Sequence, residues 1–385
     1  MMEYVITNGR LYTEEHVLPK GYIKVKNGQI TAIEEGDYEG QLETIDAQGH
    51  HIIPGFIDIH IHGGYGEDVM DASEEGLKHL AKNLLSEGTT SFLATTMTQS
   101  DENVEQALRT IARYKDKQNR TEGAEILGIH LEGPFISEHK VGAQNPAFVQ
   151  RPSVKKVQHF QDVANQLIKI ITFAPEVEGA LETVEALHEE IIFSMGHTAA
   201  TFEEANQAVE YGAQHITHLY NAATSFEHRN PGVFGAAWTN ERLATEIIVD
   251  GVHSHPAAVA IAYKQKGNQR FYLITDAMRA KGMPEGAYDL GGQTVHVKGS
   301  EARLATGSLA GSILRMNEGL ENLKQYTGAS LEELWRVTSL NQAQALGVSD
   351  QKGSLKVGKD ADLVILDHSS QVMTTIKGGK PYRFD

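Results

Sequence analysis

A chain of 385 residues with 40% apolar content, 37 glycines, no cysteine and a net charge of −17 has room for one large domain with an appendage, or for two domains. Without cysteine there is no disulfide and no thiolate, so any metal must take His, Asp or Glu ligands. The acidic balance argues against nucleic acid or an anionic membrane surface as a partner, and no apolar run approaches the roughly 18 residues of a membrane span.

The opening residues lack a basic stretch followed by an apolar one, so no secretion signal is expected and the chain reads as cytoplasmic. YVITNGRLY and GYIKVKNGQITAIEEG alternate apolar and polar residues, and Asn27-Gly28 between two such runs is a type I′ hairpin signal. From Pro54 the texture changes. In FIDIHIH, residues i and i+2 share a face of an extended chain. His60 and His62 then converge, with Asp58 on their face and Ile57, Ile59 and Ile61 on the other. Two imidazoles just before Gly63-Gly64 look like half of a metal site at a strand's end. With 18 histidines in the chain, chance is the alternative.

Next, Leu77, Leu80, Leu84 and Leu85 recur at helical spacing, with Ser73 able to cap the start and Gly88 the end. TSFLATT precedes a helix near 104–114. ILGIHLEG leads into a loop and a polar helical stretch, and LIKIITFAPE into a helix near 181–189. IIFSMGHT precedes FEEANQAVEYG, HITHLYNA precedes a loop containing Arg229, and TEIIVDG precedes a helix near 256–264. FYLITDAM is the eighth strand candidate. This alternation predicts a (β/α)8 TIM-type barrel. A doubly wound open sheet is the runner-up, weakened because neither G-x-G-x-x-G nor a Walker A sequence follows a strand. The chain then returns to β texture in GSLKVGKDADLVILD, around 372–376, and in KGGKPY. Both ends are therefore expected to build one small β-sandwich domain, residues 1–53 and 353–385, beside a catalytic barrel of 54–352.

Chemistry in such a barrel gathers at the C-terminal ends of the strands. His60 and His62, Glu132, His197, His218 and Asp276 all fall there. Each alone has a structural alternative: a loop cap, a satisfied buried histidine, a helix N-cap. Together they read as metal ligands. His60 and His62 would hold one divalent ion and His197 and His218 a second, with Glu132 bridging and Asp276 as general base. Imidazole and carboxylate donors suit Zn, Fe, Co or Mn.

The segments PGFIDIHIHGG, HLEGPF, GHTAA, THLYNA, DGVH and TDAM, in this order along essentially the whole chain, resemble the amidohydrolase superfamily. More narrowly they are similar to its members that deacetylate amino-sugar 6-phosphates. The resemblance implies metal-dependent hydrolysis of the N-acetyl group of N-acetylglucosamine-6-phosphate to glucosamine-6-phosphate and acetate, in amino-sugar catabolism or recycling. It implies that Asp276 passes the proton of the attacking water to the leaving amine, and that His253 donates to the oxyanion or the sugar. It assigns the phosphate to Asn221-Ala222 and Arg229, and the sugar pocket to Ala143-Gln144 and Leu309-Ala310-Gly311. It also implies a homodimer with the Arg229 loop near the interface. Departures are visible. Many relatives bridge their metals through a carbamylated lysine on the fourth strand, but Lys169 lies at the wrong end of that strand here. Gln144 stands where some members have His, and Ala223 where Met is common. Some members lose the first-strand histidine pair and use a single metal; with both present here, one or two ions remain open. The rivals are an amidohydrolase for cyclic amides or N-acyl amino acids, and a metal-free barrel that kept the fold alone.

Overall fold

The protein, seen in a computed structural model, is described over residues 2–384. Eight parallel strands pair in chain order: Phe56–Ile61, Thr89–Thr96, Glu125–Glu132, Ile168–Phe173, Ile192–Met195, His215–Ile216, Ala244–Ile248 and Phe271–Ile274. A helix follows each one: Glu74–Leu84, Asp101–Lys117, Val154–Val163, Ala180–Leu187, Phe202–Tyr211, Gly232–Thr239, Pro256–Lys266 and Met316–Thr327. This is the expected (β/α)8 barrel. The first helix begins as its sequence indicates, with the Ser73 side chain accepting from Gly76 N. Gly88, with φ of 82°, turns the chain into the second strand, a conformation that costs glycine least. The barrel closes just past the eighth strand. Asp276 N donates to His60 O at 2.8 Å and His62 N to Ala277 O at 2.9 Å. Among the described residues no helix is long and apolar enough to cross a membrane.

One sequence expectation fails on the first strand. Its pairing with the second shifts register between Asp58 and Ile61. Asp58 therefore leaves the histidine face, accepting instead from Thr275 Oγ1 and N. Burial pushes its carboxyl up to about 6, against Lys281 and Thr275. Ile57 and Ile59, expected on the opposite face, pack with Leu93, Ile170, Ile192, Ile248 and Ile274 of the other barrel strands. The sixth strand is only two residues long, so His218 lies just beyond it.

Strands from both ends of the chain form a separate eight-stranded sheet. Its core joins Ile6, Leu11, Ile23 and Ile52 from the beginning to Leu363, Ile365 and Ile376 from the end. Asn27 and Gly28 both have positive φ, 53° and 83°, as a type I′ turn requires. Buried charges lock this sheet to the barrel. Lys352 Nζ lies 2.6 Å from Asp362, 2.9 Å from Asp360 and 3.0 Å from Glu125, the residue that opens the third barrel strand. Lys377 Nζ lies 2.7 Å from Asp362. Burial would raise Glu125, but Lys352 and Lys377 override it and bring the carboxyl down to about 2. A carboxylate depressed in the folded state stabilises above its ordinary pKa and loses that contribution as pH falls towards the folded value. The melting temperature should therefore fall as pH drops from about 4.5 to about 2. Glu125→Gln should be about 2–3 kcal/mol less stable at neutral pH and show a shallower acid decline. Parallel acid melting curves for the two proteins would contradict this.

Candidate active site

Each metal-capable residue predicted from the sequence reaches one point at the mouth of the barrel. Glu132 Oε1 lies 3.0 Å from His218 Nε2, 3.2 Å from His197 Nε2 and 3.4 Å from His60 Nε2. Glu132 Oε2 lies 3.3 Å from His62 Nε2. Asp276 Oδ1 lies 3.2 Å from His62 Nε2 and 3.4 Å from His60 Nε2. All six residues are at most 8% exposed. His197, His218 and Asp276 hold φ values of 48°, 30° and 50°. Left-handed backbone is uncommon for residues with a side chain and clusters at functional sites. Here it turns the three side chains inward as their strands end.

The donor chemistry fits a divalent ion. His62 Nδ1 faces Thr95 O at 3.2 Å and His197 Nδ1 faces Lys140 O at 3.0 Å. A carbonyl only accepts, so these rings carry hydrogen on Nδ1 and point an Nε2 lone pair inward. His197 and His218 then oppose their Nε2 atoms at 3.1 Å, and His60 and His62 theirs at 3.4 Å. Imidazole nitrogens this close to one another and to a carboxylate need either a shared proton or a cation between them. Burial would raise Glu132, yet the surrounding histidines hold it well below the usual carboxylate range. Burial would lower His62 and His218, yet Asp276 and Glu132 pull His62 up and Glu132 chiefly pulls His218 up. The carboxylates demand positive charge among them, and a divalent ion on nitrogen and oxygen ligands supplies it. Two overlapping groups, His60–His62–Glu132 and Glu132–His197–His218, each have ligand atoms within 4.8 Å of one another.

Above the cluster opens a cavity of about 330 Å³. Ala143, Gln144, Asn221, Ala222, His253, Leu309 and Gly311 line it, as the sequence reading placed them. His253 Nδ1 is held by Asp250 Oδ2 at 2.6 Å, which leaves its Nε2 unengaged. One expectation changes, and the structure adds detail on Gln144 and Arg229. Ala310 is buried against Met97, Met278 and Leu290 and does not line the cavity. Gln144 is committed to the cluster: its Nε2 donates to Glu132 Oε2 at 2.5 Å and its Oε1 accepts from Thr98 N at 2.8 Å. Arg229 lies outside the cavity, in the exposed stretch 225–230.

Sequence reasoning missed the other wall. Strands Gly286–Leu290, Gln293–Lys298 and Glu301–Leu304 form a three-stranded sheet between the eighth barrel strand and its helix. Leu290, Arg303 and Ser308 from this insertion line the cavity. The Arg303 guanidinium is steadied by Glu301 Oε2 at 2.7 Å and Gly307 O at 2.7 Å. Gly291-Gly292 between alternating apolar runs was the available hairpin signal.

The pattern shared by the amidohydrolase family matches residues 51–382. The chain belongs to the amidohydrolase family. Divalent-metal binding is typical of amidohydrolases, and the His–Glu cluster is where this one can hold an ion. This amidohydrolase is 46% identical to N-acetylglucosamine-6-phosphate deacetylase of Bacillus subtilis (strain 168) over 373 residues, 96% of this chain and 94% of that protein. It is 37% identical to N-acetylgalactosamine-6-phosphate deacetylase of Escherichia coli O157:H7 over 372 residues, 96% of this chain and 97% of that protein. Its structure matches that of a mutant N-acetyl-D-glucosamine-6-phosphate deacetylase from Mycobacterium smegmatis, solved in complex with N-acetyl-D-glucosamine-6-phosphate. That match has a TM-score of 0.93 at 30% identity and covers 99% of each chain.

Proposed function

We propose that this protein is a metal-dependent deacetylase that hydrolyses the N-acetyl group of N-acetylglucosamine-6-phosphate to glucosamine-6-phosphate and acetate. The observation that carries the proposal is the convergence of Glu132, His62, His197, His218 and Asp276 on the floor of one cavity, with His60 against Glu132 and Asp276. The Bacillus subtilis and Mycobacterium smegmatis relatives support the substrate by their own names and, for the latter, its bound ligand.

When bound, an ion of the Zn, Fe, Co or Mn class, one or two per chain, would polarise an amide carbonyl and acidify water towards neutral pH. His60 and His62 would hold one position and His197 and His218 the other, with Glu132 between them. Burial would raise the Asp276 carboxyl, but His60 and His62 keep it below its ordinary value, so it is ionised at neutral pH. It takes the proton of the attacking water and returns it to the amide nitrogen, so the amine does not leave as an anion. His253, anchored by Asp250, offers Nε2 to the carbonyl oxygen or a sugar hydroxyl. Asn221 and Ala222 offer polar groups to the phosphate. Arg229, exposed and outside its own cavity, would clamp it from the neighbouring subunit of a homodimer. A phosphorylated sugar does not cross a bilayer unaided, since its charge is costly in hydrocarbon. The enzyme therefore belongs in the cytoplasm, with its substrate.

Turnover should be compared for N-acetylglucosamine-6-phosphate, its galacto epimer, unphosphorylated N-acetylglucosamine and N-acetyl amino acids. N-acetylglucosamine-6-phosphate should lead. Preference for an N-acetyl amino acid would refute the proposal, and preference for the epimer would shift it to the chemistry named for the Escherichia coli relative. Arg229→Ala should raise KM for the phosphorylated sugar roughly 10–100-fold, the worth of a charged hydrogen bond. An unchanged KM, with the effect appearing instead in Arg303→Ala, would move the phosphate clamp to the chain's own insertion.

A further inference from the structure

Beneath the metal-capable cluster lies a layer of buried polar groups that no step above uses. Glu246, on the seventh barrel strand, is fully buried. Its Oε1 accepts from His215 Nδ1 at 3.1 Å and from Ser194 Oγ at 3.3 Å. Among the described residues its Oε2 has no hydrogen-bond partner; it faces His60 Nδ1 at 3.7 Å, an atom that is buried and unpartnered too. The Nε2 of His60 points the opposite way, into the cluster.

Buried polar atoms are nearly always paired, and a carboxylate oxygen left without a donor is costly. Two orphans facing each other just beyond bonding distance need only a small rotation of the ring to meet. A ring that ligates through Nε2 carries its hydrogen on Nδ1, and a carboxylate is a strong acceptor for it. His130 stacks edge-on to His60 at 4.5 Å between centroids but does not compete. Its two nitrogens are taken by Ile59 O at 2.9 Å and Thr172 Oγ1 at 2.7 Å. The same bonds stand against an ion seated among His60, His130 and Glu246. His62 and His197 rest on neutral carbonyls; His60 alone of these three rings faces a carboxylate with its outer nitrogen.

We propose that Glu246 is a positioning residue that receives the Nδ1 hydrogen of His60, fixes the aim of that ring, and so sets how tightly the His60–His62 position holds its divalent ion. Glu246 touches neither substrate nor reacting atoms. The inference rests on the metal-centre proposal above.

The test is equilibrium dialysis against Zn(II) of wild type, Glu246→Gln, His60→Asn and the double variant. Glu246→Gln should weaken one bound ion about 10–100-fold and leave an ion on Glu132, His197 and His218 unchanged. In the His60→Asn background it should have no further effect. Unchanged affinity and stoichiometry in Glu246→Gln, or a further loss in the double variant, would overturn the proposal. If the variants do not fold, 15N NMR of histidine-labelled, Zn-loaded wild type decides: His60 should carry its hydrogen on Nδ1, and a bare Nδ1 overturns the assignment. Wild type that binds no ion sinks the metal centre itself. Wild type binding a single ion that Glu246→Gln does not affect sinks this inference alone.

Discussion

Asp276→Asn should fold, keep its metal and lose nearly all turnover. The bonds that tie this residue into the barrel are made by its backbone: Asp276 N to His60 O at 2.8 Å, and Ser312 N to Asp276 O at 2.8 Å. Asparagine has the same shape and preserves both. What it removes is the ionised carboxylate 3.2 Å from His62 and 3.4 Å from His60. A positioned acid–base group contributes about 10²–10⁴-fold, so kcat should fall by about that factor while KM stays within a few-fold. The comparison needs kcat, metal content and melting temperature on the same preparation. A kcat within tenfold of wild type would mean that another group moves the proton.

Glu132→Gln should act at an earlier stage, on the ion itself. Glu132 stands within 3.4 Å of four imidazole nitrogens and, among the described residues, is the only carboxylate that reaches all four. The variant keeps the shape and the Gln144 neighbour but removes the negative charge the rings surround. Affinity for a divalent ion should drop by more than about 100-fold, beyond the usual effect of an outer-shell change. Activity in dialysed protein should drop with it and return in part on adding excess metal. Retention of a full metal complement after dialysis would show that the two histidine pairs bind without a shared carboxylate.

Much of this site could be read before any coordinates. His60, His62, Glu132, His197, His218 and Asp276 each close a recognisable strand, and strand ends in a barrel meet. The alternation itself was legible because helix caps such as Ser73 and turns such as Gly88 punctuate it. What failed has specific physical causes. Asp58 was placed by strict two-residue alternation, which a register shift between Asp58 and Ile61 breaks. Glu246, in TEIIVDG, is not singled out by the sequence, because only the closed barrel brings it against His60. Gln144 lines the cavity as expected, but nothing local shows that Glu132 and Thr98 also occupy its amide. Arg303 lies far along the chain from every strand end, on an insertion whose docking depends on tertiary contacts such as Gln293 Nε2 to Ala143 O at 2.5 Å.

The sheet built from both ends of the chain has a consequence for biosynthesis. Strand His51–Pro54 lies between Glu3–Tyr12 and Leu363–Leu366. While the ribosome is still producing the barrel, one side of that strand stays bare. An open strand edge invites pairing with other chains. The interval ends only when the final strands emerge and dock. The nascent polypeptide thus carries an open strand edge until Leu363–Leu366 emerges, and shielding by a chaperone matters over that interval.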